Sequence, residues 1–127
     1  MRIYFLLLFW ITAACTSHDS VEGAWQWTSE NEQHLMELDL VKSGNQLLGK
    51  HCNTFFNGNK IDCAETNSLV LHQVSNNVYE GTFQSSFSDA NIPIKITYIA
   101  DGDKIYLQQL GNSELEYYMA FNVYLTK

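Results

Sequence analysis

Apolar residues alternate with polar ones along most of the chain, and this period of two constrains the fold more than any other feature. It is clear in "MELDL" and "IPIKITYI", and no sustained apolar period of 3.6 residues follows residue 23. Pairs of Asn, Gly and Asp, which tolerate the positive φ of tight turns, interrupt the alternation. The candidate turns are Gly44-Asn45, Asn57-Gly58, Asn76-Asn77, Asp101-Gly102 and Gly111-Asn112. The pattern predicts an all-β meander.

Between these turns the alternation predicts eight or nine short strands. Their expected ranges are 24–28, 34–42, 46–55, 60–66, 69–75, 78–87, 92–100, 104–110 and 116–126. Short connections make successive strands antiparallel neighbours. An open sheet of this size would leave two exposed edges, so we expect an antiparallel up-and-down barrel, with a β-sandwich as the alternative.

The turns also predict the register of the strands. Two-residue turns at the first two candidate pairs place Asp39 opposite Lys50, and Lys50 opposite Glu65, as a charge ladder on the outer face. The same register sets Cys52 opposite Cys63, as a hydrogen-bonded pair. The residues that alternate with this outer face point to the other side of each strand, and we expect them in the interior. Its expected members are Met36, Leu38, Leu40, His51, Asn53, Phe55, Val70, His72, Val74, Tyr79, Phe83, Phe87, Ile92, Ile94, Ile96, Tyr98, Ile105, Leu107, Tyr117, Met119, Phe121, Val123 and Leu125.

The first residues have the order of a secretory signal peptide. Arg2 precedes nine apolar residues over 3–11 and three small ones. Nine residues at about 1.5 Å each are too short for a hydrocarbon core of about 30 Å. "ITAAC" resembles a bacterial lipoprotein processing site, which implies that a signal peptide over 1–14 is removed and that Cys15 is lipidated.

The same resemblance predicts the organisation and location of the mature protein. Residues 15–23 would form the lipidated cysteine and a tether, and residues 24–127 the barrel domain. Thr16, rather than Asp, follows the cysteine, which by the sorting pattern of such lipoproteins implies the outer membrane. We expect a lipid-anchored monomer that faces the periplasm.

The other two cysteines then form a pair in an oxidising compartment, where a disulfide between Cys52 and Cys63 is expected. A zinc site needs further Cys or His pairs at short spacing. His51 adjoins Cys52, but neighbours in a strand point to opposite faces. We therefore predict no metal and no cofactor.

The charge of the mature chain excludes one class of partner. Removal of Arg2 with the signal peptide leaves six Lys against fourteen Asp and Glu, a formal charge of −8. Nucleic-acid binding is not expected, because neutralising phosphates requires a basic surface. The same negative charge disfavours contact with anionic lipid, so the acyl anchor alone would hold the protein at the membrane.

The domain begins with "EGAWQW", and Gly23-x-Trp25 at the start of a first strand is similar to the lipocalin and calycin pattern. The resemblance implies that the tryptophan closes one end of a barrel whose interior or mouth holds a ligand. In that family an arginine commonly covers the tryptophan. This domain has no arginine, and Lys127 can replace it only in part.

The polar minority of the expected interior supplies the candidate binding residues. His51, Asn53, Asp62 and His72, with Tyr98 among the aromatic residues, could orient a ligand in an apolar cavity. The alternative is that these residues bind no ligand and are instead a core histidine with satisfied hydrogen bonds and a hydrogen-bonded hairpin end. No motif for a nucleophile, a metalloprotease or a phosphate loop occurs, so catalysis is not expected.

Two functions are consistent with these features. The first is a non-catalytic, lipocalin-like envelope lipoprotein that binds a small apolar ligand. The alternative is a periplasmic inhibitor or immunity protein that binds a secreted toxin which degrades the cell envelope. Tyr106, Tyr118 and Tyr124 have the outward parity, and exposed tyrosines suit a protein-binding surface.

Overall fold

The computed structural model describes residues 20–127 of the chain, and within this range the regular structure consists of nine strands without a helix. The strands are β1 (Gly23–Thr28), β2 (Leu35–Ser43), β3 (Gln46–Phe55), β4 (Lys60–Cys63), β5 (Leu69–Ser75), β6 (Val78–Gln84), β7 (Asn91–Ile99), β8 (Lys104–Gln109) and β9 (Val123–Thr126). Over residues 20–127 there is no helix of the length and hydrophobicity that a membrane span requires. The predicted signal peptide, Cys15 and most of the tether lie outside the described residues.

Eight of the strands form a closed, lipocalin-like antiparallel barrel. Sequential neighbours pair around the sheet, and β1 pairs with both β2 and β9. The β1–β9 seam is short, with Gln26 opposite Thr126 as its one registered pair in the described chain. The predicted up-and-down barrel is confirmed.

β4 is an extra strand beyond the barrel of eight. Residues 46–49 of β3 pair with β5, whereas residues 52–55 of the same edge pair with β4. β4 and β5 are therefore two pieces of one broken strand, separated by residues 64–68. The β3–β4 hairpin can consequently follow its own path at one end of the barrel.

The two ends of the barrel differ in their connections. At the proximal end, the described chain enters over residues 20–23, and short turns lie at 43–46, 75–78 and 99–104. At the distal end lie the connections 28–35, 55–60, 84–91 and 109–123. Because neighbouring strands are antiparallel, these two sets of connections lie at opposite ends.

Large apolar side chains fill the interior. Those with less than 2% of their surface exposed are Trp25, Phe83, Met36, Leu38, Leu40, Leu47, Leu69, Leu71, Ile92, Ile94, Ile96, Ile105, Leu107 and Leu125. Trp25 closes the proximal end, where its indole N–H donates to the carbonyl of Val21 at 2.8 Å. Lys127 Nζ lies 4.8 Å from the centre of the Trp25 ring, so a lysine covers this tryptophan.

The predicted register is confirmed in β2–β3 and β3–β4, although one turn differs. Asp39 pairs with Lys50, and Cys52 with Cys63. Pairing ends at Cys63, so Glu65 adds no further rung to the charge ladder. The loop after β3 has four residues, 56–59, instead of two. Since Ala64 N donates to His51 O at 2.9 Å, the cysteines form a non-hydrogen-bonded pair, whose side chains lie closer together.

The prediction was wrong in β5. Leu69 and Leu71 are buried, while Val70, His72 and Val74 are exposed. Both parities of "LVLHQV" carry apolar residues, so the alternation alone cannot choose between them. Because the strand is broken before β5, the inward-facing positions of β5 do not follow from those of β4. A further irregularity lies between Gln73 and Ser75, in the pairing of β5 with β6.

The chain before β9 also differs from the prediction. A strand was expected over 116–126, but β9 covers Val123–Thr126, and the preceding segment crosses the distal end without regular structure. In that segment Tyr118 is buried instead of exposed. Phe87, expected inside, follows β6 in a loop and is 42% exposed.

Candidate functional site

A buried polar network lies where β3 and β4 reach the distal end. His51 and Asn53 on β3 and Asp62 on β4 are 1%, 0% and 0% exposed. The inward parity of the hairpin places all three inside, as expected from the sequence. Burial of three polar side chains requires hydrogen-bond partners for each.

Asp62 is the centre of this network. Its Oδ1 accepts hydrogen bonds from Ser86 N at 2.7 Å and from His51 Nε2 at 2.7 Å. Its Oδ2 accepts from Ser85 Oγ at 2.6 Å and from Tyr118 N at 3.4 Å. One carboxylate thus joins β3, β4, the loop after β6 and the segment before β9.

His51 connects Asp62 to the break between β4 and β5. Because an ionised Asp62 can only accept, the proton of the imidazole belongs on Nε2. His51 Nδ1 then accepts from Ser68 Oγ at 2.5 Å, and Ser68 Oγ itself accepts from His51 N at 3.2 Å. A neutral imidazole therefore satisfies every one of these contacts.

Burial by itself raises the pKa of the Asp62 carboxyl, but hydrogen bonds from His51, Ser85 and Ser86 outweigh it. The pKa consequently lies below the ordinary value of 3.8. Asp62 is an ionised hydrogen-bond acceptor at neutral pH.

Asn53 fastens the segment before β9. Its Nδ2 donates to Tyr118 O at 2.8 Å and lies 3.0 Å from Met119 Sδ. Its Oδ1 is buried and has no hydrogen-bond partner in the described part of the chain. Asn53 binds the backbone carbonyl of Tyr118 and Asp62 binds its backbone N–H, so both polar groups of this peptide backbone are bonded.

Ser68, His51 and Asp62 are the residue types of a hydrolytic triad, but here they face inward. Ser68 is 7% exposed, and its hydroxyl is occupied by two contacts with His51. These three side chains join β3, β4 and the segment between β4 and β5, and the hydroxyl of Ser68 is buried among them. Over residues 20–127, no cluster of three or more His, Cys, Asp or Glu side chains could hold a metal ion.

Two predicted binding residues lie elsewhere. His72 is exposed on the outer face of β5. Tyr98 is buried near the proximal end, where its hydroxyl donates to Asp103 Oδ1 at 3.2 Å and its ring meets Trp25 edge-on. The structure thus brings together three of the five, and a ligand-binding role for the set stays a prediction.

Above the polar network lies a cluster of rings, which we call the distal patch: His34, Phe55, Phe56, Phe87 and Tyr118. Ring centres of His34 lie 4.6 Å from Phe55 and 4.9 Å from Phe56. Phe87 and Tyr118 meet edge-on at 4.8 Å, and Tyr118 also contacts both neighbouring phenylalanines. The patch is assembled from four separate distal connections.

Part of this patch is exposed to solvent. Phe56 is 49% exposed, Phe87 is 42% exposed, and nearby on β4 Ile61 is 58% exposed. Large apolar side chains that are grouped and exposed at one end of a domain are typical of interaction surfaces.

The backbone that presents Phe56 is strained. Phe56 and Asn57 both have φ of +54°, a conformation that is uncommon for a bulky aromatic residue. Phe56 N donates to His34 Nδ1 at 3.2 Å, and Asn57 N donates to Gln33 O at 3.1 Å. Two contacts with the 28–35 connection therefore hold the strained loop in place, as is common at functional sites.

The disulfide and Asp62 support the patch from below. Cys52 and Cys63 are bonded across β3 and β4, with Cα atoms 3.9 Å apart, which confirms the predicted disulfide. Asp62 fixes Ser85 and Ser86, the two residues before Phe87, and also the backbone of Tyr118. The hydroxyl of Tyr118 donates to Glu116, and this hydrogen bond raises the pKa of Tyr118 to about 12.

Sequence reasoning missed Ser68, Ser85, Phe56 and Phe87 as members of this site. Phe56 directly precedes the Asn-Gly pair, and this position beside a turn was the one available signal. The serines gave no signal, because serine is common in loops.

A separate groove of about 570 Å³ lies against the outer face of β1, β2 and β3. Its lining includes outward-facing residues of both charges, among them Glu37, Asp39 and Lys50, and the edge of the disulfide at Cys52. Trp25, Leu38 and His51 of the interior also border this groove, whereas no residue of the distal patch does.

Comparison of the chain with models of protein families, with curated proteins and with solved structures found no match.

Proposed function

We propose that this chain is a non-catalytic cell-envelope lipoprotein that holds a partner protein at its distal patch. The observation that carries the proposal is the exposure of two rings on separate supported loops: Phe56 on the strained loop that the 28–35 connection holds, and Phe87 directly after the two serines that Asp62 fixes. Aromatic side chains are enriched at protein interfaces, where a few of them supply most of the binding energy.

The position of the patch suits such a partner. The proposed anchor at Cys15 precedes the proximal end, and the patch lies at the other end. A strand of ten residues such as β3 spans about 33 Å. An anchor at Cys15 would therefore leave the rings at the end of the domain that is farther from the membrane.

The hypothesis of a small apolar ligand has less support from the geometry. An interior ligand would have to displace side chains such as Trp25, Phe83 and Met36, all almost completely buried. Dense packing makes such displacement costly. A lipocalin-like carrier stays a prediction, whereas an exposed surface for a protein partner needs no rearrangement.

The double substitution Phe56→Ala and Phe87→Ala tests the proposed surface. We expect it to reduce capture of the partner by at least about 10-fold, because removal of two central aromatic side chains costs about 2 kcal/mol or more. Cross-linking of the full chain in its native envelope, followed by quantitative mass spectrometry, measures the captured protein.

The matched control is Val41→Ala with Val74→Ala, two exposed apolar residues toward the proximal end. This variant should capture the same partner as the parent chain. Equal capture by the distal and control variants would refute binding at the distal patch.

The lipid anchor is tested separately. Cys15→Ser removes the thiol to which the diacylglycerol would be attached, so we expect the protein to leave the membrane fraction. Fractionation with metabolic labelling by a tagged fatty acid measures both effects. Unchanged labelling and membrane association in the variant would exclude Cys15 as the anchor.

A further inference from the structure

The two ends of the barrel differ in charge as well as in shape. The proximal connections carry three carboxylates (Glu22, Asp101 and Asp103) and one lysine (Lys104), a formal charge of −2, which Lys42 and Lys127 beside them bring to zero. The distal connections carry five carboxylates and one lysine, a formal charge of −4; they are Glu30, Glu32, Asp89, Glu114, Glu116 and Lys60. All five distal carboxylates are exposed, and together we call them the acidic rim.

The acidic rim and the distal patch share the same connections. Glu32 is two residues from His34, Asp89 is two residues after Phe87, and Glu116 accepts the hydroxyl of Tyr118. A partner that contacts the exposed rings must therefore also approach these carboxylates.

The patch already holds one cation. Lys60 Nζ lies 5.5 Å from the centre of the Phe87 ring and 5.9 Å from that of Tyr118. These distances are within the range in which an ammonium or guanidinium group is attracted to a ring face. The rings can thus receive positive charge, and the exposed parts of Phe56 and Phe87 offer further ring surface.

From this combination we propose that the distal patch recognises a basic protein surface, with arginine or lysine side chains against the rings and paired with the acidic rim. The inference rests on the proposed protein-binding function and specifies the chemistry of the partner. Complementary charge would accelerate association and exclude acidic partners. Anionic lipid and nucleic acid would be repelled for the same reason.

Short peptides can serve as probes. Three peptides share a glycine–leucine frame and differ only in carrying arginine, lysine or glutamate at their charged positions. We expect the arginine peptide to shift the amide and aromatic NMR signals of Phe56, Phe87 and Tyr118. The lysine peptide should act more weakly, and the glutamate peptide should have no effect.

Charge variants of the full chain distinguish an effect of the acidic rim from an effect of the overall negative charge. Glu32→Gln with Glu114→Gln should weaken binding of the arginine peptide by about 5-fold at low salt. Glu80→Gln with Asp101→Asn removes the same charge away from the rim and should leave the affinity unchanged.

Several results would overturn the basic partner. These are an arginine peptide that leaves the patch signals unmoved, a glutamate peptide that binds as well, equal loss in both charge variants, and patch signals that shift with phosphatidylglycerol vesicles instead. None of them affects the capture experiment with the Phe56 and Phe87 variant, which decides the protein-binding function independently.

Discussion

Asp62→Asn is expected to lower the free energy of unfolding by about 3 kcal/mol or more, because hydrogen bonds to a charged group are worth about 1.5–3 kcal/mol each and a buried donor left without a partner costs a similar amount. The carboxylate accepts four hydrogen bonds, from His51, Ser85, Ser86 and Tyr118. An asparagine offers one oxygen, and its NH₂ group must face donors on the other side. Denaturant titration of both chains measures the difference.

The effect of Asp62 should depend on pH in a defined direction. The native pKa of this carboxyl is below its ordinary value of 3.8. Its contribution is therefore complete above the unfolded pKa and is lost as the pH falls through the native one. The stability difference between the parent chain and Asp62→Asn should be constant near neutral pH and decrease below about pH 4.

Asp39→Asn, an exposed carboxylate on β2, is the matched control and should change stability by no more than about 0.5 kcal/mol. If Asp62→Asn does not fold, Ser85→Ala removes one donor to Asp62 and the acceptor for Phe87 N and Ser88 N, and it should cost about 1–2 kcal/mol. Stability of Asp62→Asn equal to that of the control would show that the network is not essential to the fold.

Loss of the disulfide has the second large effect. Cys52→Ser with Cys63→Ser should lower the free energy of unfolding by about 3 kcal/mol, because a closed loop with a sequence separation of 11 restricts the unfolded chain. Cys52 is exposed, so its replacement by serine leaves no core cavity. Thermal denaturation of the oxidised, reduced and substituted chains measures the loss.

Loss of the disulfide should first increase local opening of the strands beside it and only then unfolding of the whole barrel. Hydrogen exchange is expected to accelerate first in β4 and in residues 52–55 of β3, which pair only with each other and with β2. Exchange in β6 and β7 should follow global unfolding. The reduced and substituted chains should behave alike, and uniform acceleration throughout the barrel would contradict a local role of the disulfide.

The barrel could be predicted because several independent patterns agree. Alternation in β2 and β7 identified their inner faces, since along the middle of each strand, at 36–40 and 94–98, the apolar residues occupy a single parity. The turn at Gly44-Asn45 set the register of β2 and β3, and the symmetric placement of Cys52 and Cys63 around Asn57-Gly58 set that of the next pair. These are local signals, and local signals are what a single sequence carries.

Elements whose conformation depends on distant contacts could not be predicted. In β5 both parities are apolar, so the choice of Leu69 over Val70 depends on neighbouring strands. The segment before β9 shows alternation, yet it crosses the distal end because Asn53 and Asp62 bind the Tyr118 backbone. Such bonds join residues more than fifty positions apart, and no periodicity reports them.

The same limit applies to the candidate site. His51, Asn53 and Asp62 were identified because hairpin parity directs them inward together. Their partners Ser68 and Ser85 come from loops whose paths are set by tertiary packing. The distal patch likewise draws rings from four connections, so its existence could not be inferred from any one of them.

The break between β4 and β5 has a consequence for how this protein can diversify. Residues 64–68 interrupt the strand, so a shift or insertion in the β3–β4 hairpin is not transmitted along the ladder into β5 and β6. The distal loops can therefore accept new lengths and side chains while the barrel keeps its register. Related chains could retain one scaffold and acquire different specificities, and a library randomised over 56–59 and 86–89 would sample them in the laboratory.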